Sequence, residues 1–230
     1  MQPHLTEHGI KIGRDKLFSI LRTNRMLIRR RRSRHRTTYS ERWYNRFDNL
    51  IKGWSPNAPG QVWVSDITYL RIGSGFAYLS LITDAFSRKI VGYHVAQSLH
   101  AINTYKALQM ALDNEPNLQK GIIHHSDRGT QYCSSQYTET LKQHGFKISM
   151  TQSSDPLDNS IAERINGIIK QEFTDFYYLT GIRKAKRFVT KAVNNYNLLR
   201  PHDSLNKRTP HQVHLCVNYT KDYFHLENRF

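Results

Sequence analysis

Three β-rich runs, QVWVSDITYL at 61–70, FAYLSLITD at 76–84 and KIVGYHVA at 89–96, follow one another with only RIGSG and AFSR between them. Connectors this short join antiparallel neighbours, so the runs are predicted to form a meander. Helical spacing of apolar residues resumes in AINTYKALQMALDN, residues 101–114, and GIIHHSD follows as a fourth, buried strand. A further helix is predicted over 134–144 and a fifth strand in FKISM. Three meander strands, then helices alternating with two more strands, describe an α/β chain with a mixed five-stranded sheet flanked by helices. TQSSDPLD at 151–158 reads as an exposed loop, and from Asn159 the chain is predicted to be mainly helical to about Leu199.

Ahead of the sheet, RDKLFSILRTNRML at 14–27 spaces Leu17, Ile20, Leu21 and Leu27 as one apolar helix face. RRRRSRHR follows, and charge of that density repels itself and stays out of a core, which makes it an extended or loosely helical arm. Its Arg29, Arg30, Arg31, Arg32, Arg34 and Arg36 are candidate phosphate contacts, the plain alternative being a solvated patch. GWSPNAPG, rich in turn formers, marks a boundary. The expected division is a basic helical segment at 1–52, a linker at 53–60, a core at 61–175 and a helical extension and tail at 176–230.

With 34 Lys and Arg against 18 Asp and Glu, the formal net charge is +16, and such an excess calls for a polyanionic partner. No stretch approaches the ~18 apolar residues of a membrane-spanning helix, and MQPHLTEHGIKIG lacks the apolar centre of an export signal. The expectation is a cytoplasmic protein with no membrane partner, held at the nucleoid when bound to DNA. Two cysteines, Cys133 and Cys216, support neither a disulfide framework nor a thiolate zinc site.

The chemistry is carried by carboxylates. Strand alternation puts Val62, Val64, Asp66, Thr68 and Leu70 on one face, so Asp66 interrupts a largely apolar row and needs a cation, a hydrogen-bond network or an exposed sheet end. Asp127 ends the apolar run GIIHHS and opens the turn DRGTQY, a place where side chains become accessible; Gly129 is expected to permit that tight turn. In NSIAERINGIIKQEF, Ile161, Ile165, Ile168 and Ile169 share one helix face while Asn159, Glu163, Asn166 and Lys170 form a polar stripe opposite. Taken alone, that stripe reads first as a solvated helix face. Glu172 projects nearer the apolar side and is the weaker candidate. Three separated carboxylates suit hard oxygen-seeking ions, Mg²⁺ or Mn²⁺, and a pair of such ions supports in-line displacement at a phosphodiester.

WVSDITYL, LITDAFSRKIVGY, HHSDRGTQY, LDNSIAERINGIIKQEF and YNLLRPHDSLNKRTP together closely resemble the integrase core of bacterial insertion-sequence transposases, specifically the family numbered three, related to retroviral integrases. The resemblance spans roughly residues 10 to 213 and implies an RNase H-like fold with a DDE triad in which 35 residues separate the second Asp from the Glu; 163 − 127 − 1 gives 35 here. It implies that Asp66, Asp127 and Glu163 are catalytic and hold two ions, Asp66 bridging them. Lys170 would be the basic residue that touches DNA near the reacting end. For Asp84, Arg88, Tyr196, Arg200, Pro201 and His202, which also belong to the family pattern, turn formation and packing are the expected roles.

The implied function is 3′-end cleavage and strand transfer on the element's terminal inverted repeats and a target DNA, by an oligomer. Family members carry a helix-turn-helix module ahead of the region where Met1 falls, often joined by frameshifting, which implies an upstream-frame protein or fusion partner. The rival expectations are a nuclease that cuts without joining, and a noncatalytic DNA-binding regulator or inactive relic of an element.

Overall fold

The computed structural model describes residues 2–27, 47–73, 75–152, 159–174 and 177–215. The arm from Arg29 to Arg36, most of the loop before Asn159, and Cys216 lie outside them. The chain divides into two compact units, Met1–Thr38 and Tyr39–Phe230.

In the first unit, α1 covers Gln2–Glu7 and α2 covers Arg14–Thr23. The sequence predicts α2 to run on to Leu27, but the helix stops earlier. The Asn24 side-chain amide donates to the Ile20 carbonyl, and Arg25 takes φ 55°, a left-handed conformation that ends an α-helix.

The second unit is built on one sheet. Strands β1 (Val62–Ile72), β2 (Gly75–Asp84) and β3 (Ile90–Ala96) are antiparallel, and β4 (Ile123–Ser126) and β5 (Lys147–Met150) add on parallel to β1, giving the order β3-β2-β1-β4-β5. Helices α3 (Ala101–Asn114) and α4 (Ser135–Gln143) make the crossovers. Period-two alternation sorts the side chains between two cores. Trp63, Ile82 and Val91 pack with Ala107, Leu108 and Ala111 of α3 and Tyr137 and Leu141 of α4. Leu70, Ile72, Leu79 and Leu81 face the other way, against α5 (Ser160–Ile168) and α6 (Ile182–Leu198), through Ile165, Ile168, Val189, Val193 and Tyr196. Helix α3 lies so close to β3 that a Cβ on Gly92 would stand 2.3 Å from the Ala107 carbonyl and 2.7 Å from the Ala111 Cβ, so only glycine fits.

The predicted helical stretch from Asn159 to Leu199 is not continuous. After α5 the backbone widens into a π turn over Ile169–Thr174, and α6 begins only at Ile182. The turn brings Glu172 to Arg200, whose Nε and Nη2 each donate at 2.6 Å to its carboxylate. Glu172 is thereby a brace for the end of α6. The expected packing roles of the terminal motif hold: the buried Tyr196 hydroxyl donates to the Arg88 carbonyl, and the Asn197 amide satisfies both backbone groups of Ile90 at the sheet edge. Asp84 shapes its turn as expected, its Oδ1 accepting from the Ser87 backbone and hydroxyl, and its Oδ2 accepts from Gly60 N at the end of the linker. Among the described residues no helix is long and apolar enough to cross a membrane.

Candidate active site

The register of β1 against β4 sets the site. Their parallel pairing runs from Val62↔Ile123 to Ser65↔Ser126 and stops there, so the next residue on each strand, Asp66 and Asp127, emerges beside the other. Neighbouring strands lie ~4.8 Å apart, which makes this a meeting of two carboxylates. Past Asp66, β1 continues to Ile72 without β4, which leaves the cleft open on that side.

Helix α5 brings the third acid. Asn159, buried at its start, donates through Nδ2 to the Ser65 carbonyl at 3.1 Å and pins the helix to β1 next to Asp66. One turn on stands Glu163, exposed; three residues further, Asn166 is 4% exposed and donates from Nδ2 to Asp66 Oδ2 at 2.7 Å. The polar stripe is therefore no solvated face. Its asparagines turn inward onto β1, and only Glu163 remains in solvent at the cleft.

Asp66 lies in the electrostatic field of the other two acids. Asp66 accepts from Asn166 and from Ile67 N at 2.8 Å, yet its carboxyl is pushed up to about 7, by burial first, then by the charge of Asp127, with Glu163 adding to the rise. Asp66 is the less exposed of the two and the harder to ionise, so the repulsion between them is felt in its titration. Crowding by protein also raises Asp127, against the 3.0 Å bond from Gly129 N. Gly129 serves space rather than a left-handed turn. A Cβ there would stand 2.9 Å from Asp127 Oδ1 and 3.0 Å from Gln131 Oε1.

Among the described residues no three His, Cys, Asp or Glu side chains already stand together as a metal cage. The donor set nonetheless fits a hard divalent cation. All three acids present oxygen, and the high pKa of Asp66 marks a site where a positive charge relieves burial and repulsion together. Unpartnered oxygens reinforce this: Asn166 Oδ1, Asn159 Oδ1 and the Tyr132 hydroxyl are buried with no hydrogen-bond partner among the described residues.

Tyr132 had no distinguishing mark in the sequence, where it sits inside a presumed turn. Its ring packs edge-on to Tyr137 at 5.6 Å, and its hydroxyl is held protonated by burial first and then by the charges of Asp127 and Asp66, which places it within their field. His124 and His125, the two residues before Ser126, are both buried. His124 is buried, held down to about 3 by desolvation and the neighbouring His125, and its Nε2 meets Ser65 Oγ and Tyr137 Oη at 2.9 Å; His125 Nδ1 meets Ser149 Oγ.

Lys170, within the π turn, extends its ammonium to 4.1 Å from the Tyr69 ring, which in turn packs edge-on against Phe76 at 5.4 Å. Tyr69 and Phe76 are both about half exposed, so this cation–aromatic group borders the open edge of β1. A hollow lined by Gln109, Leu112, Glu115, Leu118 and His144 holds none of the three acids.

Residues 56–156 and 144–210 match two patterns, each described as an integrase core domain. The chain is 34% identical to the 31 kDa protein of insertion element IS600 from Shigella sonnei, across 91% of this chain and 78% of that one. This chain belongs to the insertion-sequence transposases with an integrase core. Against the putative transposase of IS986/IS6110 from Mycobacterium tuberculosis the transposase is 33% identical, over 73% of its own length and 62% of the other. Against transposase InsF of IS3A from Escherichia coli it is 36% identical, over 54% and 43%. It thus spans less than two thirds of both these relatives.

Among solved structures, the HTLV-2 integrase catalytic core domain in complex with magnesium superposes with a TM-score of 0.56 at 19% identity, covering 70% of the transposase and 99% of that chain. A simian T-cell lymphotropic virus intasome chain gives 0.60 at 19% identity, covering 93% and 70%. These likenesses show the RNase H-like fold, and the family makes the transposase an enzyme of the polynucleotidyl transferase class.

Proposed function

We propose that the transposase hydrolyses the phosphodiester at the 3′ end of its insertion sequence and transfers the exposed 3′-OH to a second phosphodiester. Asp66, Asp127 and Glu163 would hold Mg²⁺ or Mn²⁺, two ions in the full complex. The observation that carries this is the parallel register ending at Ser65↔Ser126, which delivers two acids side by side under a helix bearing the third. Bound ions would supply Lewis-acid activation of the attacking oxygen and neutralise the scissile phosphate.

The protein's own groups orient and exclude. Asn166 and Ile67 N fix the two oxygens of Asp66, and Gly129 N fixes Asp127. Among the described residues nearest the acids, Ser65 Oγ is buried against His124, Ser126 Oγ donates to the Asp127 carbonyl, and Tyr132 stays protonated. The nucleophile is water in the first step and the DNA hydroxyl in the second. Lys170 serves as a phosphate contact beside the reacting end.

In this reading, segment 1–52 grips DNA through Arg29, Arg30, Arg31, Arg32, Arg34 and Arg36, residues 61–175 perform the chemistry and 176–230 brace it. Two DNA ends call for at least two copies of the chain, working in the cytoplasm on the element's terminal repeats and a target DNA. An upstream-frame product is a further candidate partner.

The test is incubation of purified protein with labelled terminal-repeat DNA, a plasmid target and Mn²⁺. A shortened strand together with a plasmid-joined product is expected. A shortened strand alone would establish a nuclease, and a gel shift with neither product a regulator.

Asn166 gives a second prediction. Asn166→Ala removes the donor to Asp66 Oδ2, so the carboxyl rises further and is harder to ionise. By analogy with groups that orient metal ligands, the Mn²⁺ concentration for half-maximal cleavage should rise about 10- to 100-fold. An unchanged metal requirement would reduce Asn166 to a packing residue.

A further inference from the structure

Helix α6 has a composition that folding alone does not ask for. Between Ile182 and Leu198 it carries Arg183, Lys184, Lys186, Arg187 and Lys191 and no acid at all. All five are exposed, whereas Ala185, Val189, Ala192, Val193 and Tyr196 are buried on the opposite side. Stepping ~100° per residue puts Arg183, Arg187 and Lys191 along the outward pole of the helix, one turn apart, with Lys184 and Lys186 on its two flanks. Like charges at i, i+4 destabilise a helix. Solubility would be served as well by mixed charge, and among the described residues none of the five pairs with a carboxylate.

The charge extends around the sheet. β3 is the edge strand, with α6 against one of its faces and α3 against the other. His94 on β3 is held below the usual range, by burial first and then by Lys186 of α6 and Lys106 of α3, so the two lysines share one field across the edge. Lys106 is exposed like the α6 bases. The ridge also connects with the active site, because α6 packs on the π turn that continues α5, on the sheet face where α5 meets Asp66.

We propose that the outer face of α6, continued by Lys106, is the surface on which the transposase holds its target duplex DNA. The surface offers lysine and arginine to phosphates and carries no base-reading constellation. That chemistry suits a partner held through its phosphates, such as a target duplex, better than an element end whose sequence has to be recognised. The inference rests on the strand-transfer reading of the preceding section.

The experiment compares the full chain with its Arg183→Ala/Arg187→Ala/Lys191→Ala variant, by fluorescence anisotropy with an arbitrary ~30-base-pair duplex over a salt series. Each lost phosphate contact lowers the slope of log affinity against log salt by ~0.9, so a fall of about two to three is expected. In parallel, joining of a precleaved element end to plasmid should fall at least about tenfold, while hydrolysis of the uncleaved end stays within about twofold. The Arg183→Lys/Arg187→Lys variant should keep the parental slope and joining, which shows that charge is what matters.

A slope unchanged by the triple variant would make the ridge a solvated face and overturn the proposal. Equal loss of hydrolysis and joining would also overturn it, by assigning the ridge to the element end, as would normal joining despite a reduced slope. If the parent itself neither cuts nor joins, the strand-transfer reading fails and the target assignment falls with it. The salt slope would then still report whether α6 binds duplex DNA.

Discussion

Asp127→Asn abolishes DNA cleavage, with an expected loss of at least about 10³-fold in rate, because removing one of three anionic donors forfeits several kcal/mol of transition-state charge stabilisation and each ~1.4 kcal/mol is tenfold. The fold should not be weakened by the change. Asp127 is exposed, its side chain accepts from Gly129 N, and asparagine keeps an acceptor at that place. The melting temperature should therefore fall no more than about 2 °C below the parent's, as for surface substitutions generally, and at pH 8 it should rise, because the charge that raises Asp66 is gone. Cleavage of labelled terminal-repeat DNA in Mn²⁺, read beside a thermal melt, separates chemistry from folding. A variant as active as the parent would sink the triad assignment.

Asp66→Asn should stabilise the protein. The unfolded carboxyl ionises near 3.8 and the folded one near 7. Between those values the folded chain keeps a proton that the unfolded chain has lost, so stability falls as pH rises through the window, and the full penalty is present above 7. Asparagine carries no such charge. At pH 8 without divalent ions the variant should exceed the parent by about 2 to 4 kcal/mol, the difference allowing for the half-exposure of Asp66, or roughly 5–15 °C in melting temperature. Near pH 4 the two should converge.

Adding Mg²⁺ at pH 8 should raise the parent's melting temperature and leave the variant's nearly unchanged, because only the parent has the charge that the ion relieves. Cleavage should be lost in the variant throughout. A stability difference that does not grow between pH 4 and pH 8 would show that Asp66 is not the strained acid described here.

Much of this was legible in the sequence for a specific reason. Strand and helix identity are set by spacing within about ten residues, and that information survives in one dimension. The three meander strands, the helix at 101–114 and the two later strands follow from it, as does the oddness of Asp66 among valines and leucines. Helix termini were less legible. α2 ends at Thr23 because Asn24 and Arg25 adopt capping and left-handed geometry, and the helical pattern after Asn159 conceals a π turn at Ile169–Thr174 that no hydrophobic period announces.

The stripe on α5 shows where such reading stops. Asn159, Glu163, Asn166 and Lys170 share a polar face, and polarity in one dimension is a prior for solvent. Folding reverses this for two of them, because Ser65 and Asp66, about a hundred residues earlier in the chain, supply the acceptors that let buried asparagines be satisfied. Tyr132 and the Glu172–Arg200 pair were invisible for the same reason.

The sequence by itself determined where the five strands and the main helices lie, though not where each helix ends, and which three acids stand at the family's spacing. Only the tertiary structure decided that β4 pairs with β1 for four residues and then lets Asp66 and Asp127 out together, that α5 docks with its amides inward, and that α6 turns five cations to solvent. Periodicity is a property of near neighbours along the chain, whereas burial, repulsion and hydrogen bonding depend on distances through space that no local pattern contains.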